Sequence, residues 1–218
     1  MGGFRLGGSC SACTSASGAP PMTLTGDFDN NAGTAVETRT FYSAYFVLDI
    51  TNPESSDYPK LLWSFSHADL GLSYARPSML RVSPPAAPVT DNTDAKWLMV
   101  VGSGPTGYGG NAGQASKIFA IDLATGPGVA NSDVKVITAD TLNSFLASTV
   151  TIDSDLDYKV EVTYTGSTIN DGALPWRGKL YRLTMNDCAA PCSPDVWGIS
   201  AGAGSRQATE ILDTFPPA

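Results

Sequence analysis

The chain has 218 residues and a formal net charge of −8, and only 16% of its side chains are charged. This negative charge disfavours binding to nucleic acid or to anionic lipid, because both would be repelled. No uninterrupted apolar run approaches the roughly 20 residues that a membrane-spanning helix needs. With 22 glycines and 15 prolines, the composition indicates a single, turn-rich domain.

The first part of the chain is small, polar and rich in glycine, and it predicts a loosely ordered arm or a long surface loop at 1–40. The domain itself is expected at 41–218. The start at Met1 lacks the charged segment and apolar core of a secretion signal. We expect an exported protein in which these first residues belong to something longer.

The four cysteines form two close couples, Cys10 with Cys13 and Cys188 with Cys192. Such local couples favour small disulfide loops, which form in an oxidising compartment outside the cytoplasm. A zinc site made of four thiolates, or free thiols, are the alternatives. Disulfides agree best with export.

Short apolar or alternating runs bounded by Gly, Pro, Asn and Asp predict an all-β chain. A long loop is expected at 102–115 and a short helix only at 205–214. The predicted strands lie at residues 45–50, 60–66, 78–82, 97–102, 117–123, 134–138, 148–152, 160–165, 179–185 and 196–200.

Three runs, 45–49, 118–122 and 180–184, align as a weak internal repeat, and their spacing suits propeller blades with inserted loops. Trp63, Trp97 and Trp197 on the strands of these units are expected to pack inside blades. The sequence therefore predicts a partial β-propeller of about three to four four-stranded blades with long loops. So few blades cannot close a ring, so we expect more of a larger propeller chain, or a partner, to cover the free edges.

An acidic loop at 153–161 reads Asp-Ser-Asp-Leu-Asp-Tyr-Lys-Val-Glu. Its four carboxylates would repel one another unless a cation lay among them, and a hard divalent ion with six to eight oxygen ligands neutralises such a set. The odd-numbered places match a first, third, fifth, seventh and ninth ligand order. The predicted Ca²⁺ ligands are the carboxylates of Asp153, Asp155, Asp157 and Glu161 and the backbone carbonyl of Lys159.

The loop is not an EF-hand, because Tyr158 and Tyr164 occupy the places where that motif has Gly and Glu. Apolar alternation on both sides predicts that it joins two strands and that the ion would hold a β-hairpin together. A magnesium site or a plain acidic turn are the alternatives.

No motif predicts catalysis. The single histidine, His67, has no cysteine or recognisable serine motif near it in sequence and is expected at the surface. The run at 102–107 is rich in glycine but lacks the Gly-Lys-Ser/Thr ending of a phosphate loop, and it is expected to be a flexible connection.

Several segments occur in an order that resembles the C-terminal propeller of PilY-type proteins, which assemble type IV pili. These segments are YFVLDITNP at 45–53, LLWSF at 61–65, RP at 76–77, WLMVVGSG at 97–104, KIFAID at 117–122, the acidic loop and GKLYRL at 178–183. The resemblance spans about Phe41 to Trp197. The pattern of a strand followed by Asp-x-x-Thr-Gly, at 121–126, also occurs in quinoprotein-like blades.

This resemblance implies a modified seven-bladed propeller at the end of a larger exported protein of the cell surface or outer membrane, without catalysis. Its calcium occupancy would bias pilus extension against retraction and support adhesion, with pilin or minor pilin components and surface ligands as partners. By matching positions, the ligands fall on the five residues named above. Glu161 departs from the family pattern, in which Asp is common at the ninth place.

Two other functions agree with a calcium-binding propeller. A quinoprotein-like dehydrogenase would hold calcium at the central axis beneath a quinone. An adhesion module like the propellers of integrin α chains would carry several calcium loops, whereas the sequence contains one.

Overall fold

The computed structural model describes residues 2–6, 22–26, 36–82, 95–107, 110–169, 176–184 and 209–212. These residues contain β-strands, one 3-10 turn at Val129–Asn131 and no α-helix, which confirms the all-β prediction. Within the same ranges, no helix is long and apolar enough to cross a membrane.

The first sheet has four strands: β1 (Gly2–Leu6), β2 (Met22–Gly26), β3 (Glu37–Asp49) and β4 (Lys60–Phe65). The long strand β3 pairs antiparallel with the other three, with β2 and β4 lying beside its first and last residues respectively. The sheet is thus organised around one strand that is longer than the predicted segment at 45–50.

The second sheet contains the remaining strands, all in antiparallel pairs. They are β5 (Ser78–Val82), β6 (Lys96–Gly102), β7 (Ala115–Asp122), β8 (Val134–Leu146), β9 (Val150–Ile152), β10 (Val162–Ile169), β11 (Arg177–Thr184) and β12 (Thr209–Leu212). The order is β12-β11-β10-β8-β7-β6-β5, and β9 lies beside β10.

Strand β8 connects two four-stranded units within this sheet. Its first residues, from Val134 to Thr138, pair with β7 and complete the unit β5 to β8. Its last residues, Ser144 to Leu146, pair with β10. Strands β9 and β11 also pair with β10, and β12 pairs with β11. Together with the first sheet, these two units give three antiparallel assemblies of the size of propeller blades, as predicted for a partial β-propeller.

The predicted helix at 205–214 is wrong where the structure describes it. Residues Thr209–Leu212 form β12, which pairs antiparallel with β11. Pairing with a strand distant in sequence overrides the weak helical pattern of this short segment. The predicted strand at 196–200, Trp197 and the four cysteines lie outside the described residues.

Two strands occur inside the segment predicted as an arm or loop at 1–40. Strands β1 and β2 pair with β3, and β3 itself begins at Glu37, before the predicted boundary. A single sequence does not reveal such pairing, because the ladder partner is distant in sequence. The division of the chain at residue 40 stays a prediction.

Strands β6 and β7 are buried on both faces and therefore lie between two hydrophobic cores. Leu98 and Ile118 belong to a core shared with residues of β5, β8 and β11. On the opposite face, Phe119 belongs to a second core, together with Tyr45 and Phe65 of the first sheet. Burial of a side chain such as Phe119 contributes about 1.5–3 kcal/mol. The same two strands thus hold the three units together.

Trp63 packs against the second core, as predicted for a residue inside a blade. Its indole Nε1–H donates a hydrogen bond to the Leu123 carbonyl at 3.0 Å. Gly126 lies against it with φ +74°, and a Cβ there would be 2.7 Å from Trp63 Cγ. The glycine of the Asp-x-x-Thr-Gly pattern is therefore required by this contact. Trp97, by contrast, is 51% exposed, so the prediction that it packs inside a blade is wrong for that residue.

His67, predicted to be a surface residue, is half-buried. Its side chain is only 21% exposed, and its ring lies 5.0 Å from the ring of Phe119. The Nδ1 atom accepts a hydrogen bond from the Asp69 N–H at 3.0 Å. Burial lowers the pKa of His67, an effect that the nearby Asp69 carboxylate opposes and Lys117 reinforces.

Because the pKa of His67 is lower in the folded chain, the unfolded chain binds more protons as the pH falls through about 6.5. We expect the free energy of unfolding to be constant above that pH and to decrease below it. His67→Asn keeps an acceptor for the Asp69 N–H and does not titrate here, so it should remove this decrease. Urea denaturation of both proteins between pH 7.5 and 5.5 measures this difference. An equal pH dependence of the free energy of unfolding in the two proteins would contradict the lowered pKa of His67 as its cause.

Candidate metal centre

The acidic loop at 153–161 joins β9 to β10 as a β-hairpin, as its flanking alternation predicted. Ile152 and Val162 are paired at the base of the hairpin. Directly above them, the Glu161 N–H donates to the Ile152 carbonyl at 3.3 Å. The strands therefore bring the first and ninth places of the loop to the same end.

Four of the predicted ligands converge in the structure. Asp153, Asp155, Asp157 and Glu161 each offer a carboxylate oxygen, and these oxygens all lie within 4.8 Å of one another. Two like charges about 4 Å apart repel by about 1 kcal/mol in water and about 4 kcal/mol near a protein surface. Asp155 is exposed and the other three are half-buried, so water screens this repulsion only in part.

Backbone N–H groups of the loop orient these carboxylates. The Tyr158 N–H donates to Asp153 Oδ2 at 2.8 Å. The Lys159 N–H donates to Asp157 Oδ1, also at 2.8 Å. Such side-chain bonds to nearby backbone groups are the reason that Asp favours turns. They fix the loop shape without removing the negative charge.

Glu161 closes the loop from its far end. Its Oε2 atom accepts the Ser154 N–H at 2.6 Å and the Ser154 hydroxyl at 3.0 Å. The longer side chain of Glu, compared with the Asp common at this place in the resembling family, spans from the ninth place back to the second. This departure from the family pattern is thus compatible with a closed loop.

Lys159 supplies the one positive charge in the loop sequence. Its ammonium Nζ lies 3.5 Å from Asp157 Oδ2, and its side chain is 14% exposed. One ammonium balances at most one of the four carboxylates, so the cluster keeps a net negative charge. The carbonyl of the same residue is the predicted seventh ligand.

Two residues of the loop take the left-handed backbone conformation. Leu156 has φ +62° and Tyr158 has φ +68°. Tyr158 occupies the sixth place, where a helical EF-hand loop has an invariant glycine for its sharp turn. The chain therefore makes a similar turn without glycine, although the flanking elements are strands.

The donor set fits calcium better than other common ions. Two oxygens on opposite sides of an ion with Ca–O distances of about 2.4 Å would be about 4.8 Å apart, and the four carboxylate oxygens all lie within 4.8 Å of one another. Magnesium demands a near-ideal octahedron and usually keeps several of its waters, so a set of four protein carboxylates suits it less. Zinc prefers nitrogen and sulfur ligands. The residues present are thus chemically suitable for Ca²⁺.

A second polar loop, which no motif in the sequence indicates, joins β3 to β4. It encloses a cavity of about 320 Å³ lined by Asp49, Thr51, Asn52, Ser55, Asp57, Tyr58 and Lys60. The hydroxyl and the N–H of Thr51 both donate to Asp49, and they lower the pKa of that carboxyl. This loop has only two carboxylates in the cavity lining, Asp49 and Asp57, and each accepts hydrogen bonds from neighbouring Thr51 or Ser55. It therefore lacks a group of four acids like that of the β9–β10 loop.

The glycine-rich run at 102–107 is not a flexible connection, contrary to the prediction. The Gly104 N–H donates to the Leu70 carbonyl and the Leu72 N–H donates to the Pro105 carbonyl, both at 2.8 Å. A Cβ on Gly104 would lie 1.9 Å from the Leu72 oxygen. The backbone near Leu72 approaches residue 104 so closely that only glycine, which has no Cβ, fits there.

No protein-family model and no curated protein sequence matches the chain. Among solved structures, the C-terminal domain of Pseudomonas aeruginosa PilY1 is similar, with a TM-score of 0.48 and 22% sequence identity. The match covers 87% of this chain and 35% of that chain. The chain thus spans about a third of the structure it matches, and that structure is the same kind of domain that the sequence resembles.

Tyr158→Gly should raise the free energy of unfolding by about 1 kcal/mol, because a left-handed conformation costs a side chain roughly 1–2 kcal/mol and glycine loses about 0.5–1 kcal/mol through its greater freedom. Its side chain is 69% exposed, so little packing is lost. Urea denaturation in the presence of a chelator measures the change.

Ala147→Gly is the matched control, since Ala147 is exposed and is not among the positive-φ residues. This variant should lose about 0.5–1 kcal/mol. Equal losses of stability in the two variants would contradict the left-handed backbone conformation at Tyr158.

Proposed function

We propose that this chain is a calcium-binding, non-enzymatic segment of a β-propeller in a protein of type IV pilus biogenesis and adhesion. The observation that carries the proposal is the convergence of four carboxylate oxygens within 4.8 Å at a single β-hairpin. Hard oxygen donors, net negative charge and a closed turn are together what a calcium site requires.

Calcium would be held by Asp153, Asp155, Asp157 and Glu161, with the Lys159 carbonyl as a fifth protein ligand. The positive charge of the ion would attract all four carboxylates and so offset their mutual repulsion. Binding to the folded state alone stabilises that state by mass action, by about 2.7 kcal/mol at 100 times the dissociation constant. Calcium would in this way control the order of the β9–β10 hairpin.

The pilus role is supported by the order of the segments that resemble PilY-type proteins. In the structure most of these segments lie wholly or partly on the strands β3, β4, β6, β7 and β11, in chain order, and the acidic loop connects β9 to β10. A larger exported protein at the cell surface would present this hairpin to pilin or minor pilin components or to a surface ligand. Occupancy of the loop would then bias pilus extension against retraction.

The arrangement gives no support to the two alternative functions. All four acids belong to one hairpin turn, whereas a quinoprotein-like dehydrogenase would need an axial ion beneath a quinone. In the described ranges, the loop at 153–161 is the one group of three or more converging potential ligands, whereas an integrin-like module needs several such loops.

Isothermal titration calorimetry of chelator-treated protein should show one calcium ion bound at millimolar or lower concentration. Asp155→Ala removes an exposed ligand and should weaken binding at least about tenfold, or about 1.4 kcal/mol. Glu54→Ala removes an exposed acid elsewhere and should leave affinity unchanged within about twofold, because screened distant charges contribute little. No binding, or equal affinity of the Asp155→Ala and parent proteins, would refute the calcium site.

The same Asp155→Ala variant tests the pilus role when it is introduced into the full protein in its own cells. Surface pili should form in the parent strain in a calcium-dependent manner and lose that dependence in the variant. If deletion of the gene leaves pilus number and surface attachment unchanged, the pilus role fails even where calcium binding holds.

A further inference from the structure

The segment that contains the acidic loop also lies along an otherwise open edge of the second sheet. Among the strands that the structure describes, β5 is the last in the sheet order, so one side of its backbone has no partner strand from those ranges. Such edges are usually covered or modified in native proteins. In this chain, part of the cover comes from residues 148–160.

Four hydrogen bonds connect this segment to the edge. Just before β5, Ser148 Oγ accepts the Arg76 N–H at 2.9 Å, and at the first residue of the strand the hydroxyls of Ser78 and Thr149 share a hydrogen bond. Further along, the Thr151 hydroxyl donates to the Met79 carbonyl at 3.0 Å. The last contact is made by the Val160 N–H, which donates to the Arg81 carbonyl at 3.1 Å.

The last of these contacts lies inside the candidate metal loop. Val160 stands between the seventh place, Lys159, and the ninth, Glu161. The Lys159 carbonyl and the Val160 N–H belong to the same peptide group, and in a trans peptide the two point in opposite directions. A ligand on the carbonyl and a bond from the N–H to β5 are therefore geometrically compatible. Polarisation of a peptide at its oxygen strengthens the bond that its N–H donates.

We infer that the Lys159–Val160 peptide couples calcium binding to closure of the β5 edge. This inference rests on the proposed calcium site and adds a consequence to it. With the ion bound, the loop is ordered and the Val160 N–H holds the Arg81 carbonyl. Without it, repulsion among the four acids loosens the hairpin, and the outward carbonyls of Met79 and Arg81 lose their cover.

Coupling of this kind is reciprocal: the factor by which calcium favours the closed edge equals the factor by which the closed edge favours calcium binding, so a weaker edge contact should weaken calcium binding. Thr151 can test this reciprocity, because its hydroxyl donates to the Met79 carbonyl of β5 and it is not a predicted calcium ligand. A change of calcium affinity in a Thr151 variant would support the coupling, whereas the calcium site alone requires only that the ion binds.

The direct test is residue-resolved amide hydrogen exchange by NMR on the whole chain, with calcium or with chelator. Calcium should slow exchange of the Val160 amide by roughly tenfold, within the 5–150-fold range of typical couplings. The Gly126 amide, which donates to the Asp122 carbonyl at 2.8 Å in a distant turn, reports any general stabilisation. Val160 should slow by more than Gly126.

The variant test compares Thr151→Val with Ser66→Ala. Each removes one hydroxyl that donates to a backbone carbonyl, at Met79 in the first case and at Ser43 in the second. By calorimetry, Thr151→Val should weaken calcium binding several-fold, and Ser66→Ala should leave it unchanged.

Calcium binding with equal changes at Val160 and Gly126 would overturn the inference and leave the calcium site intact. Unchanged calcium affinity in Thr151→Val would likewise overturn the inference and leave the calcium site intact. If the parent protein binds no calcium in calorimetry, the proposed function and this inference fall together. The exchange measurement uses the parent chain, so it tests the coupling even if a variant fails to fold.

Discussion

Repulsion among four carboxylates at the turn between β9 and β10 is the constraint on which the behaviour of this chain depends. The backbone N–H groups of the loop orient the acids, and Lys159 offsets one charge, but the oxygens remain within 4.8 Å of one another. A cation among such carboxylates relieves their repulsion. In the proposed calcium site, the order of the hairpin would therefore depend on the calcium concentration around the protein.

The rest of the fold provides a rigid support for this one adjustable element. Strands β6 and β7 are buried on both faces, and their two cores contact all three four-stranded units. None of these core contacts involves the four acids, but Val160 within the loop packs against the first core. In the proposed calcium site, occupancy would therefore act mainly on the hairpin and the edge of β5, and Val160 is the loop residue that joins the hairpin to the scaffold.

Local patterns in the sequence were sufficient wherever local chemistry determines structure. The alternation at 78–82 predicted β5 with the observed bounds. The spacing of the four acids predicted a group that the structure brings together, and their flanks predicted the hairpin. The extension of β8 to Leu146 and the strand at Thr209–Leu212 depend instead on partners distant in sequence, which a single sequence does not reveal. The contact of the half-buried His67 ring with Phe119 was missed for the same reason. The ion itself stays a prediction.

A crystal structure determined at millimolar calcium, with anomalous differences collected at long wavelength, tests the central claim most directly. We expect one anomalous peak inside the loop, about 2.3–2.6 Å from an oxygen of each of the four acids and from the Lys159 carbonyl. Density for solvent alone at this position, with the four acids turned away from one another, would contradict the claim.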